Sequence, residues 1–146
     1  MLLPRLPANV SLISSPLARA RETAAPLSAA LSLPVQLADS FREIPSTVPL
    51  AERQEWLKAF MRESWGSQPP ELLEWREAAF QGLLGLQQPA VVFSHFLVIN
   101  AVAGRLQQRD ETLCFWPANA SVTHLRLAAG QLELVALGEE MASVIN

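Results

Sequence analysis

The chain has 146 residues, half of them hydrophobic and 17% charged, with a formal net charge of -3. This size and apolar content suit one packed domain and exclude a disordered or low-complexity chain. The charge excludes a general basic field for nucleic acid, and no apolar run is long enough to cross a membrane as a helix.

Val10 to Ser14 reads as a short buried strand. Ser15-Pro16 opens a helix, because serine caps free amides and proline is tolerated in the first turn. That helix is predicted from about Leu17 to Leu31, with Leu17, Ala20, Ala24, Leu27 and Leu31 on one face. Pro26 should kink it or divide it in two. A short strand follows at Leu33 to Leu37. From Ala51 to Trp65 the residues Trp56, Leu57, Phe60, Met61 and Ser64 recur at helical spacing. Gly66 to Pro70 breaks the pattern, and Glu71 to Leu86 forms the next helix, opened by acidic residues and stopped by Pro89. Ala90 to Ser94 is the clearest buried strand, leading through His95 into a helix at about Leu97 to Gln107. Strands are expected at Leu113 to Phe115, Ser121 to Leu127 and Gln131 to Leu137, the last two antiparallel around Ala128-Ala129-Gly130. This order predicts an α/β fold, a mostly parallel sheet flanked by helices.

Ligands in such folds sit at the carboxyl ends of strands. Ser14-Ser15 and Ser94-His95 both fall at strand ends that open into helices. Arg19, one turn into the first helix, either folds back to make a phosphate cradle with the helix amides or stands solvated. Arginines outnumber the single lysine, Lys58, which suits bidentate phosphate binding or reflects coding bias. His95 is either a hydrogen-bonded core residue or a donor to a phosphoryl oxygen. Glu43, in a loop after the second strand, is a general acid or a solvated carboxylate. His124 falls on the polar face of its strand. Cys114, the only cysteine, lies in the apolar run Leu113 to Trp116 and is expected to be a buried, inert thiol. No cysteine–histidine cluster has zinc spacing, and neither a metal nor a cofactor is expected. Trp56, Trp65 and Trp75 are read as core packing, with a partner surface as the alternative. A reducing cytoplasm is the expected compartment, since Pro4 and Arg5 interrupt Met1-Leu2-Leu3 too early for a signal peptide.

Four segments in sequence carry a family resemblance. Ser14-Ser15-Pro16-Leu17-Ala18-Arg19-Ala20-Arg21-Glu22-Thr23-Ala24 closely resembles the SSPLxRAxxTA signature of the phosphoglycerate mutase-like histidine phosphatases. Phe41-Arg42-Glu43-Ile44 resembles that family's LxE loop. Val91-Val92-Phe93-Ser94-His95 resembles the strand ending in its second histidine. Pro117-Ala118-Asn119-Ala120-Ser121-Val122-Thr123 resembles its NASVT-like strand. The resemblance implies a parallel sheet covered by helices, with residues 46–88 as a helical lid-like segment. It also implies phosphoric monoester hydrolase or mutase chemistry through a phosphohistidine. Arg19 and Ser15 match the phosphate-binding positions. His95 matches the histidine that holds the transferring phosphoryl group, and Glu43 matches the proton donor to the leaving oxygen. The implied partner is phosphate or a phosphorylated small molecule.

Two departures matter. The family's nucleophile is the histidine of an Arg-His-Gly triplet, and this chain has only His95 and His124, neither after an arginine. The first strand and its following helix are therefore expected to be missing, leaving a single incomplete domain over residues 1–146 that binds phosphate without turning it over. The alternative is a non-catalytic phosphate-binding or protein-interaction module. Loss of the nucleophile strand should leave two strands with unpaired backbone groups, and a homodimer covering that edge is the preferred expectation. Second, Phe96 stands where the family usually has glycine. His95-Phe96-Leu97-Val98-Ile99-Asn100 resembles a branch with the pattern HFxxIN, and the phenylalanine should narrow the pocket and alter substrate preference.

Overall fold

In the computed structural model, which describes residues 6–118 and 121–140, the apolar run before Ser15 forms strand β1 (Ser11–Ser14). Two parallel strands flank it, β2 (Val35–Leu37) and β3 (Ala90–Phe93), in the order β2-β1-β3. Leu12 lies opposite Val35 and Val91, and Ser14 opposite Leu37 and Phe93. Partners on both sides explain why the centre of β1 is apolar and why Leu12, Ile13 and Ser14 are buried.

Helix α1 (Ala18–Leu31) packs on this sheet through Ala20, Ala24 and Leu27. Leu17 is half-buried and Leu31 exposed, so the apolar stripe is shorter than its spacing predicts. Pro26 does not divide the helix. It lies on the exposed face, where water can take the carbonyl its missing N–H leaves open. The helix stops at Ser32, whose left-handed φ of 53° lets Leu33 N–H reach Ser28 O.

Two helices follow, α2 (Arg53–Phe60) and α3 (Pro70–Leu84). The predicted helix at 51–65 ends five residues early. Ser64 leaves helical geometry to bridge Glu111, and Trp65 N–H donates to Asp110 O at 2.7 Å. The gain is burial of Trp65, 5.6 Å from Phe60 in edge-on packing and 6.3 Å from Trp75. Ile44, Phe60, Trp65, Leu72, Leu97 and Ala101 form one core cluster, with Trp56 and Trp75 packed against it. The three tryptophans therefore serve the core. The large exposed aromatic among the described residues is Trp116.

β3 leads into helix α4 (Phe96–Leu106). Contrary to the expectation of a fully buried strand, β3 is half-buried throughout, because among the described residues it pairs with β1 alone. Pro89 and Phe93 give their carbonyls to β1. The ladder's alternation therefore leaves Val92 and Ser94 with backbone groups facing the open edge. There they line an apolar slot with Val98, Val102, Thr123 and Leu125.

Strands β4 (His124–Ala128) and β5 (Gln131–Ala136) make a separate antiparallel hairpin. Its turn uses Ala129 and Gly130 at φ 54° and 75°, the left-handed pair a tight hairpin requires. The expected strand at 113–115 does not form. Its backbone groups bond the Asn100 side chain rather than another strand. Asn119 and Ala120 of the last resemblance segment lie outside the described residues, and its Ser121-Val122-Thr123 precedes β4. No described helix is long and apolar enough to cross a membrane.

Candidate functional site

β1 and β3 are adjacent and parallel, so their carboxyl ends deliver Ser14-Ser15 and Ser94-His95 to one place. Ser15 N–H still donates to Phe93 O at 2.9 Å, which keeps the two exits in register. His95 Nε2 then meets Ser15 Oγ at 2.8 Å, a contact spanning 80 residues of sequence. Ser15 Oγ also accepts from Leu17 N–H at 3.2 Å. The serine therefore caps the approach to α1 as expected, through a local turn rather than from the N-cap itself, which is Leu17.

Arg19 lies on the exposed face of the first turn of α1. Its charge reaches His95: partial burial is the main reason the imidazole's pKa falls below its usual value, and Arg19 adds to that. Both effects favour the neutral imidazole, which has one ring N–H and one acceptor nitrogen. Ser15 and His95, chosen from sequence, are brought into contact, and Arg19 stands exposed on the first turn of the helix that follows Ser15.

Glu43 is placed differently. Burial pushes its carboxyl pKa up, against hydrogen bonds from Ile44 and Leu97 and the charge of Arg53, which pull it down. Its Oε1 accepts from Ile44 N–H at 3.0 Å and its Oε2 from Leu97 N–H at 3.3 Å. Leu97 is in the first turn of α4, so Glu43 caps the same helix start that presents His95. The loop carrying Glu43 is tied down at the two residues just before it. Ser94 Oγ donates to Phe41 O at 2.9 Å and Trp75 Nε1 to Arg42 O at 2.8 Å. Far from being solvated, Glu43 is built into the wall behind His95.

Sequence reasoning gave Asn100 no role of its own. It is fully buried and uses both ends of its amide. Oδ1 accepts from Cys114 N–H at 2.7 Å and Phe115 N–H at 3.0 Å, while Nδ2 donates to Phe96 O at 3.1 Å and Phe115 O at 3.0 Å. The available signal was a lone amide within the apolar stretch Leu97 to Gly104. His124 is exposed on the hairpin, as read from its alternation. Cys114 is half-buried rather than buried, and desolvation raises its thiol pKa, which disfavours the nucleophilic thiolate. Among the described residues no group of three or more histidine, cysteine, aspartate or glutamate side chains comes together as a metal site.

A family model described as "Histidine phosphatase superfamily (branch 1)" matches residues 3–140. Among solved structures, mycobacterial glucosyl-3-phosphoglycerate phosphatase in complex with inorganic phosphate is similar at a TM-score of 0.63 and 16% identity, over 89% of this chain and 77% of that one. Its native form gives the same score and identity over 90% and 78%. At that identity the likeness is one of fold. TTHB049 from Thermus thermophilus is 30% identical, with a TM-score of 0.47, over 73% of this chain. The match spans 63% of the Thermus protein's length. Comparison with curated proteins finds no match.

Proposed function

This chain belongs to the histidine phosphatase superfamily, branch 1, and from that premise we propose that it binds phosphate or a phosphomonoester at the carboxyl ends of β1 and β3. The observation that carries the reading is the 2.8 Å contact of His95 Nε2 with Ser15 Oγ beside Arg19. The Arg19 fork supplies two parallel donors to a phosphoryl group. The amides opening α1 and a neutral His95 N–H complete the cradle. Inorganic phosphate, the ligand named for the mycobacterial neighbour, is the simplest member of this ligand class.

Phosphoryl transfer through a phosphohistidine needs a nucleophile that these 146 residues do not offer. In this reading His95 holds the phosphoryl group, and His124 is exposed on the hairpin. The chain by itself is therefore a binder without turnover. Glu43 would be the proton donor to a leaving oxygen once a nucleophile is supplied, and its raised pKa supports that role. Residues 46–88 would cover the site as a lid-like segment.

A protein-interaction role has one specific observation in its favour. Among the described residues β3 and β4 each pair on one side only, and the slot between them is apolar. A second copy covering this edge is the partner we propose. Sedimentation that finds only monomer at tens of micromolar, an arbitrary working range within typical affinities, would remove it.

Titration calorimetry with inorganic phosphate tests the main reading. Heat should be released with the wild type, and Arg19→Ala should weaken binding by roughly 10- to 100-fold, the worth of a charge-assisted pair. No binding by the wild type would overturn the proposal. Turnover of an aryl phosphate that disappears in His95→Ala would overturn the claim of inactivity.

A further inference from the structure

We infer that Phe96 and Trp116 form an aromatic platform on the rim of the phosphate site, and that it favours phosphomonoesters whose leaving group is planar and aromatic. The inference rests on the phosphate reading above and adds the substrate class.

Phe96 directly follows His95 and is the first residue of α4. Side chains of a helix lean toward its N-terminus. The Phe96 ring therefore sits at the end of α4 that presents His95, rather than farther along the helix. Trp116 lies against it, ring centroids 5.1 Å apart and planes tilted by 58°. Phe96 also packs against the core cluster, which anchors the pair from below. Trp116 is 47% exposed, the large exposed ring among the described residues. An indole left half in water against the ring of Phe96, the residue after His95, is an unused stacking face.

The pair is also held in place. Asn100, one helical turn beyond Phe96, bonds Phe96 O and binds Cys114 and Phe115 through three backbone groups. These bonds fasten the segment leading to Trp116 across the start of α4. Trp116 N–H donates to Glu140 Oε1 at 3.2 Å, which holds the far side. A surface fixed before ligand arrives loses little entropy on binding. The rim chemistry separates ligand classes. An acyclic polyol needs hydrogen-bonding groups around it, and the faces of two rings offer none. A polyanion needs further cations, and no arginine lies over either ring among the described residues. A phenyl ring or a nucleobase meets a surface of its own kind.

Calorimetry with phenyl phosphate, glycerol 2-phosphate and inorganic phosphate tests this on the full chain. Phenyl phosphate should bind about tenfold more tightly than glycerol 2-phosphate, the scale of one aromatic stack. Trp116→Ala should bring the two esters within about twofold while leaving inorganic phosphate affinity unchanged, and Trp116→Phe should keep most of the preference. Unchanged phosphate affinity also reports that the variant's site is folded. Equal binding of the two esters by the wild type would overturn the platform and leave the phosphate reading standing, as would a preference that survives Trp116→Ala. No binding of any of the three would overturn the phosphate reading and the platform with it.

Discussion

Asn100→Ala is the substitution whose cost the structure specifies most closely. The change removes an amide that satisfies Phe115 N–H, Phe115 O and Cys114 N–H. Phe115 is buried, so its two backbone groups lose their partners where water does not reach, at about 1–3 kcal/mol each. Cys114 is half-buried, and water can recover part of its bond. Phe96 O lies within α4 and keeps its helical partner, so its loss costs little. With a small cavity added, the sum is about 3–5 kcal/mol, a large share of the roughly 5–15 kcal/mol that holds a domain together. Urea unfolding followed by tryptophan fluorescence measures it. A loss below about 1 kcal/mol with an unchanged denaturant slope would refute the reasoning, because it would mean that the segment at 113–116 satisfies itself without Asn100.

Glu43 has a pKa raised above the carboxylate norm of 4.5, so the folded state holds its proton more tightly. Its contribution to stability is complete below 4.5 and lost as pH rises through the raised value. Wild type should therefore lose ground against Glu43→Gln over that window, and a constant difference between the two melting curves would contradict the burial argument. His95 has the opposite sign. Its pKa is depressed below 6.5, so its contribution is present above 6.5 and lost as pH falls through the depressed value. His95→Asn should remove that acid-side dependence, and an unchanged pH profile would count against it. A methyl group at Gly104 would lie 2.7 Å from Cys114 Sγ. Gly104→Ala should thus cost about 1–3 kcal/mol from overpacking, less about 1 kcal/mol gained in helix propensity. Adding Cys114→Ala should recover the loss in thermal melts, and a double variant no more stable than Gly104→Ala would disprove the clash.

The local elements were readable because their determinants are local. Ser15-Pro16 marks the entry to α1, and the Ala20, Ala24, Leu27 spacing marks its buried face. Ala129-Gly130 supplies the left-handed turn of the hairpin. Errors came where distant residues decided. Ser64 abandons a good helical pattern because Trp65 is worth more in the core. Leu113 to Phe115 has strand composition and forms no strand, because Asn100 is within reach.

The sequence by itself nominated the residues of the proposed site. Ser15, Arg19, Glu43 and His95 were singled out by their resemblance to the family's motifs, and strand ends that open into helices are visible in one dimension. The tertiary structure alone decided how they stand to one another. It brought His95 against Ser15 across 80 residues, turned Glu43 inward to cap α4, and left β3 and β4 with open edges among the described residues. The physical reason is that hydrogen-bond partners, burial and the resulting pKa shifts depend on which elements become neighbours. That is settled by packing, which no local spacing encodes.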